Sequence, residues 1–266
     1  AGGSLPAVAP VPWAGGGKHN VVSVICDTAW KTGSLPTDDW QAPNPRVIAR
    51  RQLEKLRDMG YTLKSAHEYE FRLFDPETLE PVIKGNDIFN TLVLGEYEEA
   101  LMAVEGGLRA QGVMVETMQT EAGSAQFELT LAPCQGLDAA DAAFRFKHAV
   151  KEMFQQRRVI ASFMTKPVEG EASNSCHFNH SLQPLREAGG LFSDGRLDEE
   201  VEAGFKYVDG ELNDLASHWL GGLVKHAPAL SALCAPTANC YRRLHGAWAP
   251  SHGGWGEENR DMMVYV

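Results

Sequence analysis

His67-Glu68-Tyr69-Glu70-Phe71-Arg72-Leu73-Phe74 alternates charged residues with large apolar ones. Successive side chains of a strand point to opposite faces, so Glu68, Glu70 and Arg72 share one side while Tyr69, Phe71 and Leu73 share the other. The pattern predicts a strand with an acidic face and a core face. Two later stretches repeat it. Gln126, Glu128 and Thr130 alternate with Phe127, Leu129 and Leu131, and His177, Asn179 and Ser181 alternate with Phe178, His180 and Leu182. Together with Glu121, these stretches would put four carboxylates and an imidazole on matching faces of strands.

Four carboxylates in one cleft would repel by roughly 4 kcal/mol per pair at ~4 Å and an effective dielectric near 20. A proton could relieve that strain, and a divalent cation with an oxygen-rich shell does so better while explaining the added imidazole. Mg²⁺ or Mn²⁺ suits the set. Zinc is less favoured, because no thiolate pair or second well-spaced histidine accompanies the carboxylates, and His177 and His180 fall on opposite strand faces. Taken alone, a Glu-x-Glu strand is more often a solvated sheet face, and a single histidine more often structural. The ordered set of three stretches is what favours a metal site.

The chain of 266 residues is 44% hydrophobic, enough for one large domain or one domain with an attached piece. Its 24 basic and 35 acidic residues give a formal charge of −11, which argues against nucleic acid or an anionic membrane as main partner. Apolar runs are far short of a membrane span. Five cysteines, Cys26, Cys134, Cys176, Cys234 and Cys240, without a C-x-x-C pair suit reduced thiols and a cytoplasmic location. The opening lacks an initiator Met and the features of a signal peptide, and Met262-Met263-Val264-Tyr265-Val266 reads as a cut end, so a fragment is expected.

Along the chain, Val21 to Cys26 reads as a strand. Asn44 and Pro45 open a helix whose apolar positions Ile48, Leu53, Leu56 and Met59 suit one face and which Gly60 closes. Helical character recurs over Glu96 to Gln111, weakened by Gly106-Gly107, over Asp138 to Arg158, and over Glu211 to His226. A strand pair is expected in Val113 to Leu131, a strand in Val159 to Met164, and an exposed loop over Glu187 to Tyr207. The alternation of helices and strands indicates a mixed α/β or α+β chain.

These residues resemble the catalytic domain of class I type glutamine synthetases. The resemblance is carried by Glu68-Tyr69-Glu70-Phe71-Arg72-Leu73-Phe74-Asp75, by Glu121-Ala122-Gly123-Ser124-Ala125-Gln126-Phe127-Glu128 (similar to E-x-G-x-x-Q-x-E), by Ala161-Ser162-Phe163-Met164-Thr165-Lys166-Pro167 (similar to A-T-F-M-x-K-P) and by His177. Gly221 to Leu230, Pro236 to Leu244 and Trp255 to Arg260 extend it. It implies an α+β fold, a curved antiparallel sheet forming a partial barrel flanked by helices, with residues 1–40 the tail of a β-grasp domain and linker and 41–266 the catalytic domain. It also implies two Mg²⁺ or Mn²⁺ ions, one held by Glu70, Glu121 and Glu128 and one by Glu68 and His177, with Arg243 and Arg260 contacting glutamate or phosphate and Asn179 and Ser181 at the nucleotide. The implied reaction uses ATP to convert glutamate to γ-glutamyl phosphate, which ammonia or an amine then attacks. The implied assembly is a ring-shaped homo-oligomer.

Three departures bear on activity. The family's Asn-Gly before the metal histidine is Ala172-Ser173, and its nucleotide-contacting histidine is Asn179. The flap segment reads Gly246-Ala247-Trp248-Ala249-Pro250, with Trp248 where the family carries an acid. An indole can close or line a pocket but cannot act as a base at neutral pH. The Val24 to Thr28 stretch and the Ile48 to Leu53 helix also resemble lengsin, a branch of the family regarded as structural, so an inactive descendant that keeps the metal-binding fold is the alternative expectation.

Overall fold

The alternating stretch is the C-terminal half of a single 14-residue strand, Tyr61–Phe74, on which four other strands pair directly. The computed structural model describes residues 5–27, 44–85, 88–185, 207–208, 211–244, 246, 248–259 and 261–265. In chain order the elements are β1 (Val8–Pro10), β2 (Val22–Val24), α1 (Pro45–Asp58), β3 (Tyr61–Phe74), α2 (Thr91–Glu96), α3 (Glu98–Ala110), β4 (Val115–Thr120), β5 (Gln126–Leu131), β6 (Cys134–Gln135) and α4 (Asp138–Gln156). They continue as β7 (Ile160–Ser162), β8 (Cys176–Pro184), β9 (Tyr207–Val208), β10 (Glu211–Leu212), α5 (Asp214–Lys225), α6 (Ala227–Cys234), α7 (Ala238–Tyr241), β11 (His252–Gly256) and β12 (Met262–Tyr265).

Six strands form one antiparallel sheet that does not close into a barrel. Glu68 pairs with Thr130 of β5 and with His177 of β8, so those strands lie on opposite edges of β3. Lys64 likewise pairs with Gln135 of β6 and Ser181 of β8, and Arg72 with Gln126 of β5 and Ser162 of β7. One edge of β3 therefore carries β5 then β6, with β4 outside β5, and the other carries β7 and β8.

Helices α3 and α4 cover one face. Phe71, Leu73, Phe127, Leu129 and Leu131 from the sheet join Leu101, Val104 and Leu108 of α3 and Phe146, Val150 and Phe154 of α4 in one buried cluster. Each such side chain contributes about 1.5–3 kcal/mol by leaving water. The helical periodicity read over Asp138 to Arg158 is thus core scaffolding, as Ala143, Phe146, Val150 and Met153 are all buried.

Several local readings shift. The Asn44 side chain accepts from the Arg46 N–H at 3.0 Å and so starts α1 as expected, yet α1 buries no residue, and Ile48 and Met59 are exposed. Leu53 and Leu56 of its apolar face are half-buried, and a polar tie adds to them: Arg46 reaches both oxygens of Asp141 on α4 at 3.0 Å. The helix expected over Glu96 to Gln111 is α3, Glu98–Ala110, and the short α2, which ends at Glu96, precedes it. The strand read in Val21 to Cys26 is only the three residues of β2, and its valines lie exposed in a hairpin with β1. Glu211 and Leu212 form a strand before α5 begins. The loop expected over Glu187 to Tyr207 lies outside the described residues up to 206.

The adjacent glycines of α3 differ in surroundings. A methyl on Gly106 would meet nothing within 4 Å, whereas one on Gly107 would lie 2.8 Å from the Trp13 ring. G106A is expected to stabilise by about 0.5–1 kcal/mol through helix propensity, and G107A to destabilise by about 1–3 kcal/mol through overpacking, as measured by denaturant unfolding. A second test concerns His180. Its Nε2 accepts from Trp219 Nε1 of α5 at 2.9 Å, which places the proton on Nδ1, facing the Phe178 carbonyl at 3.2 Å. Burial holds this imidazole below its ordinary pKa of 6.5. The stability it contributes is present above the unfolded value and lost as pH falls, because protonation removes the acceptor. The melting temperature should drop between pH 7 and 5, and W219F should flatten that slope.

Candidate active site

Residues directly opposite one another in a sheet share a face, and the register assembles the polar one. One row runs Gln119, Glu128, Glu70, and the next runs Thr130, Glu68, His177. Asn179 and Ser181 continue the His177 side, opposite Ala66 and Lys64 of β3. Glu121 lies one residue beyond the end of β4, beside this row, with its Oε1 accepting from Gln119 Nε2 at 3.4 Å.

The electrostatics follow from burial. Glu128 is only 7% exposed, and its carboxyl is pushed up to about 8 by desolvation and then by the facing charges of Glu68, Glu121 and Glu70. Glu70 is also raised, by burial first and by Glu121, while hydrogen bonds from Ser175 and the charge of Arg243 pull the other way. Asn179 Nδ2 donates to Glu68 Oε2 at 3.3 Å. Gln119 Nε2 donates to Glu128 Oε1 at 2.6 Å. The carboxylates thus sense one another, although among the described residues no three His, Cys, Asp or Glu side chains stand close enough to grip one ion. Their oxygen-rich chemistry and the uncompensated charge around Glu128 fit a hard divalent cation.

A segment before β8 roofs the site. Arg72, expected on the acidic face, is there but fully buried beneath this roof. Its Nη1 donates to Glu171 at 2.6 Å, and Nη2 donates to the Ala172 carbonyl. Burial would raise Glu171, but the Ser124 N–H, the Arg72 guanidinium and the Ser124 hydroxyl outweigh it and hold this carboxyl below the usual range. Gln126 Nε2 lies within reach of Glu70 Oε2 at 2.7 Å, the Ser173 carbonyl at 2.9 Å and Asn174 Oδ1 at 3.0 Å. The segment Ala172-Ser173 is therefore fastened through its backbone.

Arg243 follows α7, and its carbonyl accepts from the Gly246 N–H at 3.1 Å. Two residues on, Trp248 is 64% exposed and has a left-handed backbone with φ 57°. Arg260 lies outside the described residues. Sequence reasoning placed Gln126 on the polar side of its strand without giving it a role, and missed Gln119, Ser175 and Glu171 as parts of the site. Gln119 shows its place only through the register that sets it opposite Glu128, and Ser175 and Glu171 carry no pattern of their own.

A family model described as the glutamine synthetase catalytic domain matches residues 42–266. The chain is 32% identical over 228 residues to a glutamine synthetase of Pyrococcus abyssi, covering 84% of this chain and 48% of that protein. It is 31% identical to a glutamate–methylamine ligase of Methyloversatilis universalis over 82% of this chain and 50% of that one, and 32% identical to lengsin of Canis lupus familiaris over 88% and 37%. A solved structure of GmaS in complex with ADP superposes with a TM-score of 0.70 at 26% identity, covering 84% of this chain and 51% of the other. The chain spans about half the length of the curated relatives it matches. Fold, face and match agree, and the chain belongs to the glutamine synthetase catalytic-domain family.

Proposed function

We propose that this chain carries the catalytic face of an ATP-dependent carboxylate–amine ligase that activates glutamate as γ-glutamyl phosphate for attack by ammonia or a primary amine. The observation that supports it best is the pairing of Glu128 with Glu70 across the sheet, with Glu68 in the next row, where burial first and then the neighbouring carboxylates raise Glu128 to about 8. Glu70, Glu121 and Glu128 would hold one Mg²⁺ or Mn²⁺ and Glu68 with His177 a second. Bound there, the ions supply neutralisation of phosphate charge. Arg243, whose charge acts on Glu70, would hold the developing charge of the transferred group, with Arg260 as its companion on the substrate side. Asn179 and Ser181, farther along the same strand face, would contact the nucleotide.

The exposed Trp248 supports an amine bulkier than ammonia, because an indole offers an apolar wall and no base. Relatives that include glutamate–amine ligases are in keeping with this. A second reading, a lengsin-like structural protein, is favoured by Trp248 in place of an acid and by Ala172-Ser173 in place of Asn-Gly. On either reading we place residues 1–40 as the tail of a β-grasp domain, 41–266 as the catalytic domain, and the whole in a cytoplasmic ring of like subunits.

ADP formation by the full-length protein with ATP, Mn²⁺, glutamate and a panel of ammonia, hydroxylamine and primary amines tests the reading. Glutamate-dependent turnover that is greatest with a primary amine is expected, and none with any acceptor would favour the structural alternative. Glu128→Gln should lower that turnover about 100-fold or more by removing a charge the cations need. The same substitution should raise the melting temperature of the metal-free protein, since it removes a carboxyl that the fold must either protonate or bury charged beside others, and should cancel the further rise that Mn²⁺ gives the unsubstituted protein.

A further inference from the structure

Glu70 differs from its neighbours in how fully the protein already engages it. Its Oε2 accepts two donors, the Ser175 N–H at 3.1 Å and Gln126 Nε2 at 2.7 Å. Its Oε1 accepts one, the Ser175 hydroxyl. A carboxylate oxygen has two lone pairs, so Oε2 is filled and Oε1 keeps a single free direction. Ser175 thus grips both oxygens, one with its backbone and one with its side chain, and prevents the carboxylate from rotating.

The donors are themselves fixed. Asn174 Nδ2 donates to the carbonyls of Met164 at 2.8 Å and Ser162 at 3.3 Å, which turns Asn174 Oδ1 toward Gln126. Gln126 must then present its NH₂ to that oxygen and to Glu70, and its Oε1 accepts from the Gly123 N–H at 2.8 Å. The Glu70 N–H donates to the Ser175 carbonyl at 3.2 Å, which keeps Ser175 beside its target. Gln126, Asn174 and Ser175 are all buried, so water cannot substitute for any of these donors.

We propose that Ser175 and Gln126 are positioning residues that lock Glu70 so that it offers a cation one oxygen, Oε1, in one direction. The inference rests on the metal reading above. Glu70 then acts as a one-oxygen ligand, and the bidentate embrace open to a freely rotating carboxylate is closed to it. Through the Ser173 carbonyl, which shares the Gln126 NH₂, the segment Ala172-Ser173 and the orientation of Glu70 become one mechanical unit.

The test is Mn²⁺ binding to the full-length protein, read from the free-ion paramagnetic resonance signal, with melting temperature as a fold control. Ser175→Ala removes only the hydroxyl and should weaken Mn²⁺ binding about tenfold, the lower end of what losing an outer partner of a metal ligand costs. Ser175→Thr, where it folds, should restore it. In a Glu70→Gln background, Ser175→Ala should add nothing further, because its effect passes through Glu70; an equal loss in both backgrounds would overturn the inference. Unchanged or tighter Mn²⁺ binding by Ser175→Ala would also overturn it, leaving the metal reading intact. If the unsubstituted protein binds no Mn²⁺, both fall together. Mn²⁺ binding without turnover refutes the ligase reading and leaves the positioning role of Ser175 standing.

Discussion

A carboxylate taken out of water beside other carboxylates needs compensation from donors, from a cation or from a proton, and the polar half of this structure is arranged around that need. The compensation is unequal. Glu70 receives three hydrogen bonds from protein groups and the field of Arg243. Glu128, its direct neighbour across the strand pair, receives a bond from Gln119 and faces three like charges. The protein stabilises one member of the pair with its own groups and leaves the other in deficit. That deficit is the physical basis for reading the face as a cation site.

The deficit persists only because the backbone beneath cannot move aside. Phe71 and Phe127 lie behind the acidic row with their ring centroids 6.1 Å apart, and Phe146 and Phe154 of α4 close over Phe71. Above the row, the buried guanidinium of Arg72 holds the roof by its bonds to Glu171 and the Ala172 carbonyl. A methyl on Gly123 would fall 1.9 Å from that guanidinium, so the glycine is required by close packing. Like charges are thus clamped between a packed aromatic layer and an ion-paired cover.

The sheet was legible because a period of two leaves a strong trace over eight residues, and because burial on one side forces register to respect it. That trace put Glu68 and Glu70, Glu128, and His177 each on the polar side of its own strand, and the pairing of the three strands merged those sides into one face. Amphipathic periodicity was a poorer guide in α1, where Ile48 and Met59 sit at helical spacing yet face water. There the long-range pair Arg46–Asp141 also ties the helix down, and nothing local in either residue announces the other. Ser175 was invisible for a similar reason. A serine before a cysteine has no distinguishing pattern, and its role arises only when a strand 105 positions away brings Glu70 beneath it.

The alternation along β3 also separates two kinds of dependence. Tyr69, Phe71 and Leu73 serve the core, while Glu68 and Glu70 serve whatever binds on the other side. A lineage could therefore exchange the residues of the polar side one at a time while the apolar side continued to specify the same sheet. Where a change also removes a buried charge, the exchange would relieve repulsion. On such a scaffold, catalysis can be lost or redirected by drift without passing through unfolded intermediates, which makes a family that ranges from glutamine synthetase to glutamate–methylamine ligase and lengsin an expected outcome of its architecture.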